Sequence, residues 1–250
     1  MVVYGKRQFL FDAGPGVERQ LAKAHLSFVD IEGLFLTHLH SDHTLGLADV
    51  IFTSWVFGRS APLNLYGPVG TRSMASHLIA AFADDIAART KGPERAIPNG
   101  YRVHARDIQS GVVYDSAGVR VRAIAVPHNN RPSFAYRIDT PDRSVVISGD
   151  TGPGNALISY AKDVDVLVHE VVNIDEMQGK MPGGVDWKVY MSTTHTPAQE
   201  LGRIAVATRP HVLVLTHIIP TGTAETKMIA AIRSSGYKGR IVFGHDLDRF

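Results

Sequence analysis

Thr37-His38-Leu39-His40-Ser41-Asp42-His43 follows directly on the apolar residues 34–36, and the rest of the chain is read outward from it. In an extended segment alternate side chains share a side, so His38 and His40 project together. A turn after Ser41 then brings Asp42 and His43 round to a neighbouring point. Four donors between positions 38 and 43, in a loop leaving a strand, suit a borderline divalent metal such as zinc. A polar loop with accidental histidines does not account for that density of ligands in that context.

The wider composition narrows the chemistry. Twelve histidines and no cysteine mean that any metal is held by His, Asp or Glu, with thiolates and disulfides excluded. A formal charge of +2, with Lys and Arg scattered, gives no argument for a nucleic-acid or membrane surface. No apolar run approaches the roughly 20 residues of a membrane span, and Met1 opens no signal-peptide pattern. Val2-Val3-Tyr4 reads like the inside of a strand, so a missing or shortened N-terminus is expected. The expected location is cytoplasmic, with a signal segment left open.

Apolar β-rich runs predict strands over 8–12, 34–37, 63–66, 112–114, 119–126, 134–138, 144–148, 166–169, 211–216 and 240–243. Helical spacing predicts helices over 17–23, 48–55, 71–89, 154–161, 197–207 and 225–234. Thr196-Pro197 reads as a helix start, a capping hydroxyl followed by proline at the first helical position. Two stretches lack pattern: 91–100, a surface loop, and 173–194, long enough to be functional or mobile. Met177, Met181, Trp187 and Tyr190 in the latter suit either an apolar lid over a substrate or a buried contact with a second subunit. No internal repeat is visible, the length allows one large domain or two small ones, and the mixed strands and helices suggest sheets packed together and covered by helices.

Three distant segments repeat one design, a strand ending in a ligand residue. Residues 121–126 lead to His128, 144–148 to Asp150 and 212–215 to His217. Chemistry in sheet proteins gathers where strands end. Each is weak alone, but with the 38–43 cluster they supply the ligand count that two metals need.

The order HxHxDH, a later His, Gly-Asp-Thr and a final His resembles the metallo-β-lactamase superfamily over nearly the whole chain. Phe11-Asp12-Ala13-Gly14 resembles its early aspartate motif. Tyr66-Gly67-Pro68, Ala135-Tyr136-Arg137, Ser148-Gly149-Asp150-Thr151, His169-Glu170, Thr194-His195-Thr196 and Leu215-Thr216-His217 resemble signatures of its ribonuclease Z and arylsulfatase-like branch. The resemblance implies a single domain over 1–250, an α+β αββα sandwich with two mixed sheets face to face and helices outside. It implies two Zn2+, with Mn2+ or Fe2+ as possible substitutes. His38, His40 and His128 would hold one ion, Asp42, His43 and His217 the other, and Asp150 would bridge. It also implies a homodimer, and a segment over 171–194 serving as active-site or interface loop.

Asp42 is counted with the catalytic residues too. In such enzymes a histidine at the place of His195 protonates the leaving group or grips the transition state, and Glu170 would orient it. The bland alternatives are helix capping for His195 and a solvent salt bridge for Glu170. Asp12 and His169 are expected to orient ligands, whereas His25, His77, His104 and His211 carry no motif.

Two metals sharing a water would generate hydroxide at neutral pH and polarise an ester oxygen. Asp150 argues against a dedicated β-lactamase and His40 against the iron–oxygen members, so hydrolysis is expected. Ribonuclease Z often carries an arm for transfer RNA inserted between the counterparts of His128 and Asp150. Here these lie only 22 positions apart. The expectation is therefore a small-molecule sulfate or phosphate (phosphodi)ester hydrolase. A transfer-RNA 3′ endonuclease acting on RNA is the runner-up, with lactonase or weak β-lactamase activity behind it.

Overall fold

The computed structural model describes residues 1–94, 96–220 and 222–250. The chain forms two compact units, Met1–Ile108 and Gln109–Phe250, each built on one mixed sheet with helices. Among the described residues no helix is long and apolar enough to cross a membrane.

In the first unit β1 (Val2–Tyr4) and β2 (Arg7–Phe11) form an antiparallel hairpin around Gly5, whose φ of 61° suits glycine. After α1 (Val17–Lys23) comes β3 (Ile31–Phe35), parallel to β2. A short helix α2 (Ser41–Thr44) precedes α3 (Leu47–Val56). Then follow β4 (Leu63–Gly67), α4 (Thr71–Ala81), α5 (Ala83–Lys91) and β5 (Val103–Asp107), with β4 and β5 continuing the parallel run to the sheet edge. Leu47, Val50, Ile51, Ser54 and Trp55 of α3 fall at i, i+3, i+4, i+7 and i+8 and are buried, as one face of a helix requires. The four apolar ones close on Leu10, Leu34, Leu63 and Leu65 of the strands and on Leu36 just past β3.

Two readings of this half need correction. The helix expected over 71–89 divides at Phe82, which leaves helical geometry (φ −104°, ψ 20°) while its ring packs 4.3 Å from that of Phe52. The strand β5 was not foreseen, because Val-His-Ala-Arg-Asp lacks an apolar run; an edge strand half open to solvent needs none. Within the loop read over 91–100, Arg95 lies outside the described residues and the rest is largely turns.

The second unit begins with β6 (Gly111–Ser116), β7 (Val119–Val126), β8 (Ser133–Asp139) and β9 (Ser144–Ile147), paired antiparallel in turn. It continues with β10 (Val166–Val172), α6 (Trp187–Thr194), α7 (Ala198–Thr208), β11 (Val212–Ile219), α8 (Glu225–Arg233) and β12 (Arg240–Phe243). From β9 through β10 and β11 to β12 the sheet is parallel. Because β7 reverses twice before β9, the two strands end at the same edge. The core joins Ile124, Ala135, Val146, Leu167, Leu213 and Leu215 to Leu201 and Ala205 of α7 and to Met228 and Ile232 of α8.

Here too the structure departs from expectation. Residues 154–161 form separate turns, such as Ile158 N–H to Asn155 O at 3.1 Å and Tyr160 N–H to Leu157 O at 3.0 Å; the helix-like spacing serves only to bury Leu157 and Ala161. The patternless stretch 173–194 contains α6, started by the Asp186 carboxylate accepting from Val189 N–H at 3.1 Å. Its β-branched Val, Thr and Thr hid it from a propensity reading. Thr196 does not cap α7: Pro197 holds the N-cap position, and the Thr196 hydroxyl donates instead to Thr151 O at 2.9 Å.

Candidate metal centre

In the first unit the ligand loop leaves the carboxyl end of β3 beside the end of β2. His38 is fully buried, and its Nε2 lies 2.9 Å from His40 Nδ1. Two nitrogens on one tetrahedral zinc stand roughly 3.3 Å apart at Zn–N lengths of about 2.0–2.1 Å, so these rings converge as a ligand pair would. The turn expected after Ser41 is the helix α2, which carries Asp42 and His43 and sets His43 Nε2 3.5 Å from Asp42 Oδ2.

Asp12 organises this cluster. Its Oδ1 accepts from Thr37 N–H at 2.7 Å, and its Oδ2 accepts both from the Thr37 hydroxyl at 2.9 Å and from His43 Nδ1 at 2.7 Å. With its proton turned to Asp12, the Thr37 oxygen is left to accept from His38 Nδ1 at 3.0 Å. One carboxylate thus fixes the tautomers of His43 directly and His38 through a hydroxyl, which makes Nε2 of each the candidate metal donor. The backbone places Asp12 by holding it at φ 59° and by bonding Ala13 N–H to His43 O at 2.8 Å and Gly46 N–H to Ala13 O at 2.8 Å. The approach is so close that a Cβ on Gly46 would lie 2.3 Å from Gly14 O.

In the second unit His128 and Asp150 follow the ends of β7 and β9, while Glu170 and His217 lie within the last three residues of β10 and β11. His128 is 1% exposed, and its Nδ1 donates to Thr194 O, the last carbonyl of α6, at 2.9 Å. Asp150 is 2% exposed after β9. His217 is the extra residue where the β10–β11 register shifts, with φ 44°; a bulge re-aims a side chain in this way. One donor atom each of Asp150, His195 and His217 lies within 4.8 Å of the others. His217 Nε2 stands 3.5 Å from Asp150 Oδ2.

Glu170 is buried, which removes the solvent salt-bridge reading. Its Oε1 accepts from Thr151 N–H at 3.0 Å and Thr196 N–H at 3.1 Å, so it ties the loop after Asp150 to the one after His195. Its Oε2 lies 3.3 Å from His195 Nδ1. Burial, and secondarily the charge of Asp150, push the Glu170 carboxyl well above the usual carboxylate range. His195 occupies the C-cap position of α6, with Nδ1 3.9 Å from Asp150 Oδ2.

His169 was expected to orient a ligand. Instead its Nδ1 donates to Glu170 O at 2.7 Å, and its Nε2 has no hydrogen-bond partner among the described residues. Burial lowers its pKa to about 4. His25, His77, His104 and His211, which carry no motif, are exposed. Sequence reasoning missed Thr37 and Thr194. Thr37 adjoins the ligand motif and carried that signal; Thr194 acts through its main chain and carried none.

The residues present fit a divalent metal. The donors are imidazole and carboxylate throughout, and in His38, His43 and His128 the second nitrogen is taken up by an oxygen, the usual backing of a metal-bound histidine.

The Beta-lactamase superfamily domain matches residues 7–218, across both units. Ribonuclease Z of Mycobacterium bovis is 33% identical over 256 residues, covering 100% of this chain and 89% of that protein. Among solved structures, the metallo-beta-lactamase fold protein YhfI of Bacillus subtilis is similar with a TM-score of 0.73 at 17% identity, over 98% of this chain and 87% of that one. Human tRNase Z, short form, has a TM-score of 0.69 at 21% identity, over 99% and 89%.

These relatives overturn the expectation of a small-molecule sulfate or phosphate ester hydrolase. That expectation rested on the short interval between His128 and Asp150. An alignment of 256 residues with a chain of 250 leaves no room for a long arm in the matched part of the mycobacterial protein either, and that protein is named ribonuclease Z. The short interval therefore does not argue against that branch. With two mixed sheets, an imidazole–carboxylate donor set and relatives of this kind, the protein is a hydrolytic enzyme and belongs to the metallo-β-lactamase superfamily, in its ribonuclease Z branch.

Proposed function

We propose that this protein is a ribonuclease Z-like endonuclease that hydrolyses a phosphodiester at the 3′ side of transfer-RNA precursors. The observation that carries the reading is the match to ribonuclease Z along the whole chain. His38, His40 and His128 are the proposed ligands of one Zn2+, Asp42, His43 and His217 of a second, and Asp150 is shared. Bound there, the two ions supply an activated water and polarise the phosphoryl oxygens. The hydrogen bonds of Asp12, Thr37 and Thr194 to the ligand histidines support this assignment.

When the P–O bond breaks, the departing ribose oxygen takes a proton. His195 is the proposed donor: its Nδ1 lies 3.3 Å from Glu170 Oε2 and 3.9 Å from Asp150 Oδ2, which leaves Nε2 as the nitrogen to pass the proton. Glu170 acts as a positioning residue that holds the two loops carrying Asp150 and His195 in fixed relation. A homodimer belongs to the same proposal.

The test is cleavage of a precursor transcript with a 3′ trailer by zinc-loaded protein, with the new ends mapped. Cleavage at the trailer junction that disappears on chelation and in His195→Ala is expected. Protein holding two zinc equivalents that leaves the transcript intact would refute the reading.

A further inference from the structure

We infer that the open edge of the five-stranded sheet is an RNA-backbone surface, built from Arg72, Arg102, His104 and Arg106. The inference rests on the RNA reading above and names the surface that would hold the substrate in a chain with little room for an arm. The four residues line a groove of about 860 Å³ between α4 and β5. All four are exposed, and none forms an ion pair among the described residues. Arg102, His104 and Arg106 fall at every second position, so about 6.6 Å separates neighbours along an extended chain. That sets two guanidinium groups along one strand edge with His104 between them, and Arg72 in the first turn of α4 lines the same groove.

Chemistry favours a phosphate chain over other occupants. The nearby carboxylate, Asp107, is already committed: its Oδ1 accepts from the Arg72 backbone N–H at the start of α4, 2.9 Å away. It therefore offsets the helix terminus rather than the guanidinium groups. Arg106 lies over the ring of Tyr66 at 5.6 Å and Arg102 over Tyr101 at 5.8 Å, contacts that hold the side chains without neutralising them. In a chain whose formal charge is only +2, such a concentration is local and not a by-product of overall basicity. Cations on phosphates supply affinity without sequence preference.

The groove is also in register with the ligand loop. Phe11, Phe35, Tyr66 and Arg106 face one another across four strands, with rings stacked at 5.1 Å and 4.8 Å. Phe35 stands three residues before His38, and two strand spacings, about 10 Å, separate its strand from that of Arg106. A backbone lying along β5 comes within a few nucleotides of residues 37–43.

The experiment measures binding of a transfer-RNA transcript without a trailer, by fluorescence anisotropy, to zinc-loaded protein across a series of KCl concentrations. The triple variant Arg72→Gln/Arg102→Gln/Arg106→Gln is compared with wild type at matched zinc content and thermal midpoint. Removing three phosphate contacts should reduce the slope of log K against log[KCl] by about 2 to 3 and lower affinity at least thirtyfold at low salt. Equal slopes and affinities in a folded variant would overturn the inference. So would a wild-type dimer that becomes monomeric in the variant with RNA affinity unchanged, which would give the edge to a second copy of the chain. Trailer cleavage is scored separately. Salt-dependent binding through these arginines without any cleavage supports the surface and removes the endonuclease reading.

Discussion

Asp12→Asn is the most searching single change at this centre. The left-handed backbone at φ 59° accepts asparagine readily, and the amide is nearly the size of the carboxylate, so the fold survives. What changes is acceptor count. Oδ1 can still take Thr37 N–H, but an NH2 group in place of Oδ2 cannot accept from His43 or from the Thr37 hydroxyl. His43 then turns Nδ1 into an acceptor and carries its proton on Nε2, the nitrogen assigned to a metal. Loss of such backing groups costs about 10- to 100-fold in metal affinity, or about 1.4 to 2.7 kcal/mol. Competition with a calibrated chelator should show the equivalent assigned to His43 weakening by that factor and the one assigned to His38 weakening less, its link to Asp12 running through Thr37, while the thermal midpoint of chelator-treated protein barely moves. Two equivalents held at wild-type affinity by the folded variant would refute the tautomer argument.

Three further outcomes are expected. Glu170→Gln keeps an oxygen for Thr151 and Thr196 N–H and resembles the protonated acid that burial favours, so trailer cleavage should stay within about tenfold of wild type, while Glu170→Ala should lose at least a hundredfold; similar losses in both would point to the charge instead. His169 stays neutral in the fold with a pKa of about 4, against 6.5 when unfolded, so the unfolded chain binds the extra proton and stability falls as pH drops through that interval. From pH 7 to 4, urea titrations should show wild type losing roughly 3 kcal/mol more than His169→Gln. Gly46→Ala pushes a methyl into the Gly14 carbonyl and should cost about 3 kcal/mol, a drop of roughly 6–12 °C in Tm; an unchanged midpoint would mean the turn relaxes freely.

The parts of the fold legible in the sequence are those where one local rule dominates. β7 and β12 were bounded correctly because apolar β-branched runs end in clear breaks, and α1 because its spacing is short and regular. The candidate cluster stood out because four donors crowd one loop, and Asp12 because Phe11-Asp12-Ala13-Gly14 resembles a motif of the family. β5 escaped since an edge strand buries little, and α6 since an aspartate cap and packing outweigh its poor propensity. Substrate class failed for a different reason: the length of one interval was taken as decisive, whereas relatives without space for an arm bear the ribonuclease name.

The end of α6 has a consequence for how the loop 171–194 can vary. Its last carbonyl holds His128, and the next residue is His195. An α-helix turns by about 100° per residue, so inserting or deleting one residue inside α6 swings that carbonyl off the imidazole and carries His195 with it. The preceding turn has no such constraint: Gly183 and Gly184 are exposed, and it is closed by Met181 N–H to Val185 O at 2.7 Å. Length polymorphism is therefore admissible around 182–184 and forbidden between Trp187 and Thr194, which makes the turn the place to graft a peptide tag and the helix the place to leave alone.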